Sequence, residues 1–230
     1  MTSRDTKVLV VAAHPDDEVL GCGGAISRHA REGAAVCVVI LADGVGSRGS
    51  SDALRMRELA ERQHAARRAC AIMGVADLVL LSYADNRMDG VERLDVVQDI
   101  ERHVARWLPS VVYTHHGGDV NIDHRVVHDA VIAACRPQPG HPVRRLLFFE
   151  TPSSTEWRPS GSLPQFAPNW FTDISDTLGL KLEAMTAYAQ ELRDFPHPRS
   201  TEGVTHLARC RGAAVGVLAA EAFELGRNIS

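Results

Sequence analysis

Much is missing from this sequence, and each absence removes a class of function. There is no excess of basic residues: 29 acidic against 25 basic side chains give a formal net charge of -4. A nucleic-acid partner is therefore not expected. No apolar run approaches the ~20 residues needed to cross a bilayer. The N-terminal MTSRDTK runs directly into a strand-like segment, with no apolar stretch of the secretory-signal type. The five cysteines (Cys22, Cys37, Cys70, Cys135, Cys210) are odd in number, scattered, and never arranged as CxxC. They read as reduced thiols of a cytoplasmic protein, most of them small core residues. There is no internal repeat and no low-complexity tract. At 230 residues the chain can bury one full core, and one domain is expected over 1–230, with a core over about 5–150 and a lid loop and C-terminal helices over about 151–230.

What is present alternates. Lys7–Ala12 is a continuous apolar, β-branched run, as in a strand buried on both faces. Glu18–Glu32 has helical character and ends at Gly33. Strand-like segments follow at Ala35–Leu41, Asp77–Leu81, Ser110–Thr114 and Arg145–Glu150. Helical ones lie at Asp52–Met73, Leu94–Trp107 and Asp123–Cys135. This rhythm predicts an α/β fold with a mostly parallel sheet and helices on both faces. Beyond it, Pro152–Phe171 reads as an ordered loop, Asp176–Leu192 as a helix, Phe195–Ser200 as a rigid turn and Thr201–Leu225 as a final helix. Ligands in such folds sit beyond the carboxyl ends of the strands, at a switch in strand order. Three polar segments fall there: HPDDE after the first strand, DGVGSR after the second and HHGGDVNIDH after the fourth.

The first of these carries His14, Asp16, Asp17 and Glu18. Three adjacent carboxylates repel one another. Capping of a helix N-terminus accounts for one of them, but not for three acids and a histidine. A metal ion accounts for the set, since His and Asp donors at ~2 Å suit zinc, and Pro15 stiffens the turn. In the downstream segment His124 and His128 lie four residues apart, on one helix face. Catalytic zinc takes three protein ligands and keeps one position open, so His14, Asp17 and one of these histidines would complete a site. Gly21–Gly24 (GCGG) lacks the GxGxxG pattern and follows an acidic cluster that would repel a pyrophosphate. Those glycines are better read as letting the first helix approach the sheet.

AHPDDEVLGCGG followed by HHGGDVNIDHRVVHDAV resembles the LmbE-like, PIG-L-like family of metal-dependent N-deacetylases. LADGVGSR, DNRMD, SSTEW, HPRS and the RG…AEAF ending support the resemblance over most of the chain. It implies a Rossmann-like fold, a bound Zn²⁺ (or Fe²⁺, which a His₂Asp set does not sharply exclude) and removal of an acetyl group from an N-acetylated amino sugar or related glycoside. His14, Asp17 and His124 match the family's metal ligands, and Asp16 the general base. His128 then stands behind the ligands or faces substrate, and is not itself a ligand. Many members carry an oxyanion-stabilising histidine three residues before the ligand histidine. Here that residue is Asn121, which can donate a hydrogen bond but cannot act as an acid; His116, His115 or Asp16 itself could supply the proton.

Arg48 matches a sugar-binding position in relatives, and Asp85, Asn86, His197 and Arg199 are further candidates to meet substrate, Arg199 through an anionic group. Glu156 and Trp157 could line a lid. Asp119 and Asp123 are expected behind the ligands. The competing readings are hydrolysis of another N-acyl amide or a phosphoester, and a catalytically silent sugar-binding protein. A homo-oligomer stays open.

Overall fold

The computed structural model describes residues 6–45 and 52–230. Seven strands form one sheet in the order β3-β2-β1-β4-β5-β7-β6. The strands are β1 (Lys7–Ala12), β2 (Ala35–Ala42), β3 (Asp77–Tyr83), β4 (Val111–His115), β5 (Arg145–Phe149), β6 (Trp170–Asp173) and β7 (Ala220–Asn228). The first five pair in parallel, whereas β7 is antiparallel to both β5 and β6. The helices are α1 (Asp17–Arg31), α2 (Asp52–Met73), α3 (Arg93–Trp107), α4 (Ile122–Ala134), α5 (Leu178–Ala187) and α6 (Thr201–Ala213). The expected α/β architecture is present, with helices on both faces.

The apolar runs of β1 and β2 explain the layering. Alternate residues of a strand point to opposite faces. Val8, Val10, Ala12, Val36, Val38 and Ile40 enter one core with α1, α2 and α5. Leu9, Val11, Cys37, Val39 and Leu41 enter the other with α3 and α4. Strand order reverses between β1 and β4, so the crevice beyond their carboxyl ends lies between residues 13–17 and 115–124.

The final helix differs from expectation. Helix α6 ends at Ala213, and residues 220–228 form strand β7 instead of continuing to 225. The small residues of RGAAVGVLAA look helical in isolation. Tertiary packing overrides them: Gly216 turns the chain at φ 77°, and Phe223 is fully buried against the sheet core. Helix α5 is also shorter than its amphipathic pattern, at 178–187, and β6 begins where the loop after β5 was expected to end.

Helix α1 is broken at Cys22 (φ −148°, ψ 23°). A break frees backbone groups that must be satisfied in the interior. Glu221 of β7 accepts from Gly24 N at 2.9 Å and Ala25 N at 2.7 Å. Lys181 of α5 donates to the Leu20 carbonyl at 2.8 Å and to Glu221 Oε1 at 2.6 Å. A buried ion pair thus closes both sides of the break. The glycines beside it are needed for close approach: a Cβ on Gly21 would lie 2.2 Å from the Phe149 ring, and one on Gly24 2.7 Å from Ile174.

Gly21→Ala should therefore destabilise the protein by about 1–3 kcal/mol through overpacking. Gly179→Ala, where a Cβ would meet nothing within 4 Å, should be neutral or stabilising by up to about 1 kcal/mol. Urea denaturation of the two variants checks the contrast.

Candidate metal and catalytic site

Three donor atoms meet in the crevice. His14 and Asp17 come from the turn between β1 and α1, and His124 from the first turn of α4. His14 Nδ1 is 3.2 Å from Asp17 Oδ2. His124 Nε2 is 3.2 Å from the same oxygen and 3.3 Å from His14 Nδ1. Ligands held ~2.0–2.1 Å from a tetrahedral ion sit about 3.4 Å apart, so this triangle has the size of a metal face. Asp17 Oδ1 is buried without a hydrogen-bond partner, an arrangement that is costly unless something else satisfies it. The residues fit a divalent ion.

Both imidazoles are backed by carboxylates. His14 Nε2 lies 3.0 Å from Asp123 Oδ2 and 3.2 Å from Asp85 Oδ1. Asp123 is itself fixed by Asn86 N at 2.8 Å and Met88 N at 3.0 Å. His124 Nδ1 lies 3.1 Å from Asp119 Oδ2. Asp119 accepts from the hydroxyls of Ser154 and Thr155 and from Asn121 N. Carboxylates behind the outer ring nitrogens favour the tautomers that would leave Nδ1 of His14 and Nε2 of His124 free to face an ion. Asp119 thus lies against His124, and Asp123 against His14. Asp85 abuts His14 and accepts from its neighbour Asn86 at 2.9 Å.

The electrostatics call for positive charge. Burial opposes ionisation of His14 and His124, yet the surrounding carboxylates raise His14 well above the usual imidazole value and His124 to about 9. Burial likewise opposes charge on Asp17, but the charge of the His124 ring and hydrogen bonds from His124 and His14 hold it well below the usual carboxylate range.

The three consecutive acids are handled in three ways. Asp17 faces the histidines. Glu18 is fully buried, and burial pushes it to about 8; it meets the Tyr188 hydroxyl at 2.6 Å and Asp16 N at 3.1 Å. Asp16, at the N-cap position with φ 119°, has its Oδ2 3.0 Å from Arg199 Nη1. Burial raises Asp16 to about 6 against the pull of Arg199.

Several candidates are committed elsewhere. Asn121 caps α4, its Oδ1 accepting from Asp123 N at 2.8 Å and its Nδ2 donating to Asn86. His116 is held at both nitrogens, by Glu224 Oε2 at 2.6 Å and the Pro164 carbonyl at 3.0 Å. His115 stacks on His124 at 3.9 Å; its Nε2 accepts from Ala13 N, so it is neutral, and burial keeps it so. His128 turns back to donate to the His115 carbonyl at 2.8 Å. His197 packs on Trp157 and accepts from Arg199 N. Glu156 accepts from Ser153 N at 2.6 Å. Arg48 lies outside the described residues. The sequence singled out Arg199 as facing an anion, but the anion is Asp16 of its own chain. Glu191, 3.5 Å from Arg199 and paired with Arg62 at 2.5 Å, carried no sequence signal, because its neighbours in space are far away in the chain.

A family model described as PIG-L: GlcNAc-PI de-N-acetylase matches residues 9–135, more than half of the chain. The chain belongs to this family. Among its relatives is the uncharacterized deacetylase YaiS of Escherichia coli, 31% identical over 152 residues, covering 64% of this chain and 75% of YaiS. A probable N-acetyl-alpha-D-glucosaminyl L-malate deacetylase 2 of Bacillus anthracis is 26% identical, with 82% of each chain covered. In fold, this PIG-L family chain also matches GalB, the 4-carboxy-2-hydroxymuconate hydratase of Pseudomonas putida, with a TM-score of 0.79, 23% identity and 98% of each chain covered. The fold therefore houses more than one chemistry, and function has to be argued from the site.

Two predictions follow from the carboxylates. Asp123→Asn should weaken Zn²⁺ binding by about 10–100-fold, read by competition with a chromophoric chelator. Glu224→Gln tests the His116 pair. Burial works against the His116 imidazolium, but Glu224 and the Pro164 carbonyl outweigh it and raise its pKa above 6.5. The pair's contribution is complete below 6.5 and lost as pH rises through the folded value. Thermal melts should show a larger deficit for the variant at pH 6 than at pH 9.

Proposed function

We propose that this protein is a divalent-metal-dependent hydrolase that removes the acetyl group from an N-acetylated amino sugar or a sugar-containing small molecule, with Zn²⁺ as the ion. The observation that carries this reading is the donor triangle of His14, Asp17 and His124, with the Asp16 carboxylate beside it in sequence and clear of it in hydrogen bonding. Relatives named as N-acetyl sugar deacetylases support the substrate class.

When bound, the ion would supply the Lewis acidity that acidifies a water and polarises the acyl carbonyl. The chain's own part is proton handling. Asp16 takes a proton from the attacking water as a C–O bond forms at the acyl carbon. As the C–N bond breaks, the proton goes to the departing nitrogen, leaving acetate and a free amine. Asp16 is suited to both steps because a base and acid near neutrality works best when its own pKa lies nearby, and burial places it at about 6. His115 and His116 do not compete for the role, since their nitrogens are taken by Ala13, Thr151, Glu224 and Pro164. The amide of Asn121 keeps one N–H beyond its bond to Asn86 and remains the candidate oxyanion donor from this loop.

The test is acetate release from a panel of N-acetylated amino sugars by metal-stripped protein, with and without added Zn²⁺. Zinc-restored release is expected from at least one member, and Asp16→Ala should abolish it while zinc affinity stays within about threefold. Stoichiometric zinc binding with no release from any amide would overturn the hydrolase reading in favour of a sugar-binding pocket.

A further inference from the structure

The turn that carries Arg199 belongs to the C-terminal part of the chain, yet its guanidinium ends on a side chain of residue 16. Four contacts hold it there. Nη1 donates to Asp16 Oδ2 at 3.0 Å and lies 3.5 Å from Glu191 Oε2. Nε donates to Ser153 Oγ at 2.7 Å, and the backbone N donates to His197 Nδ1 at 3.1 Å. Ser200, the next residue, caps α6 through Gly203 N at 2.9 Å, so the backbone behind Arg199 is anchored to a helix start.

The charges alternate. Arg62 of α2 meets Glu191, Glu191 meets Arg199, and Arg199 meets Asp16. Two cations and two anions from four parts of the chain form one row that ends at the base. The side chains of Arg199 and Asp16 are 23% and 7% exposed, so the terminal pair is largely shielded from water, where a charge-assisted hydrogen bond is strong and directional.

Asp16 needs such a partner. Its backbone sits at φ 119°, outside the regions a non-glycine residue ordinarily occupies, and its side chain makes no cap bond to α1. The usual local anchor of an N-cap aspartate is therefore absent, and only the contact from Arg199 fixes the Asp16 carboxylate among the described hydrogen bonds. An arginine with these commitments is not a vacant receptor for a substrate anion.

We propose that Arg199 is a positioning residue: it holds the Asp16 carboxylate in its working orientation, and the Ser153 and Glu191 contacts in turn hold Arg199. This rests on Asp16 being the base of the proposed hydrolysis. Without Arg199, Asp16 can turn away from the reacting water, and displacement of about 1 Å at such a group can lower the rate by about a hundredfold.

The experiment uses full-length, zinc-loaded wild type, Arg199→Ala and Arg199→Lys. Acetate release from the best member of the amino-sugar panel is measured alongside zinc affinity by chelator competition and a crystal structure of each protein. In Arg199→Ala we expect kcat to fall about 100-fold with KM within about threefold, zinc affinity within threefold, and the Asp16 carboxylate turned or disordered. Methylguanidine added to Arg199→Ala should restore part of kcat, and Arg199→Lys should lie between the two. A raised KM at unchanged kcat would mean that Arg199 binds substrate directly, and would overturn the proposal. So would an Asp16 side chain unmoved in the Arg199→Ala crystal structure. If wild type releases no acetate from any compound, the hydrolase reading fails, and the Asp16 orientation in the two crystal structures alone decides the positioning role. If Arg199→Ala does not fold, Arg199→Lys carries the same readouts.

Discussion

Burying negative charge at the end of β1 is the constraint on which the rest of this molecule is arranged. Asp16, Asp17 and Glu18 follow one another, and none is more than 5% exposed. Left uncompensated, such a cluster would cost many times the net stability of a domain. The fold separates the three by direction. Asp17 points to two histidines and presents an unpartnered oxygen, Glu18 is neutralised by burial beside Tyr188, and Asp16 is met by a guanidinium. Each solution recruits a different stretch of chain: α4 for Asp17, the end of α5 for Glu18, and the turn before α6 for Asp16. The requirement for charge compensation thus ties distant segments to one strand end.

How much of this could be read beforehand depended on range. The parallel core was legible because β1 and β2 are apolar on both faces, a pattern intrinsic to six or eight residues. The donor triangle could be anticipated because HPDDE and DVNIDH place candidate donors within a few residues on strand-to-helix turns. Asp119 and Asp123 were legible for the same reason. Strand β7 was not, because AEAFEL alternates too briefly to outweigh the helical look of the residues before it, and its role comes from Phe223 and Glu221 reaching the core. Nor was the fate of Asn121, His116 and His128: each reads as a polar site residue, but their hydrogen-bond partners are set by tertiary neighbours such as Glu224 and Asn86, which no local pattern discloses.

The histidines gather in one place but serve different groups. His14, His115, His116, His124 and His128 all gather near the ends of β1 and β4. Two carry the donor face. The others satisfy backbone and carboxylate groups: His115 takes the Ala13 amide, His116 bridges to Glu224, and His128 caps the His115 carbonyl. A site built beside strand ends needs such groups, because the backbone there leaves the sheet and loses its ladder partners. On the proposed reading proton transfer falls to Asp16, as the resemblance implies, and the departure lies at Asn121, which stands where many members carry an oxyanion-stabilising histidine.

The closure of the broken helix α1 by Glu221 and Lys181 bears on the order in which the molecule can be made. All three donor residues have been synthesised by position 124, and the strands flanking them by position 149. The helix that carries Asp17 is nonetheless secured by a carboxylate at position 221, and Asp16 by an arginine at position 199. An emerging chain therefore holds all three donor side chains long before it can hold them rigidly. The nascent chain would pass through a stage in which these side chains are present but loosely held, so that their rigid arrangement arrives only once β7 has been made.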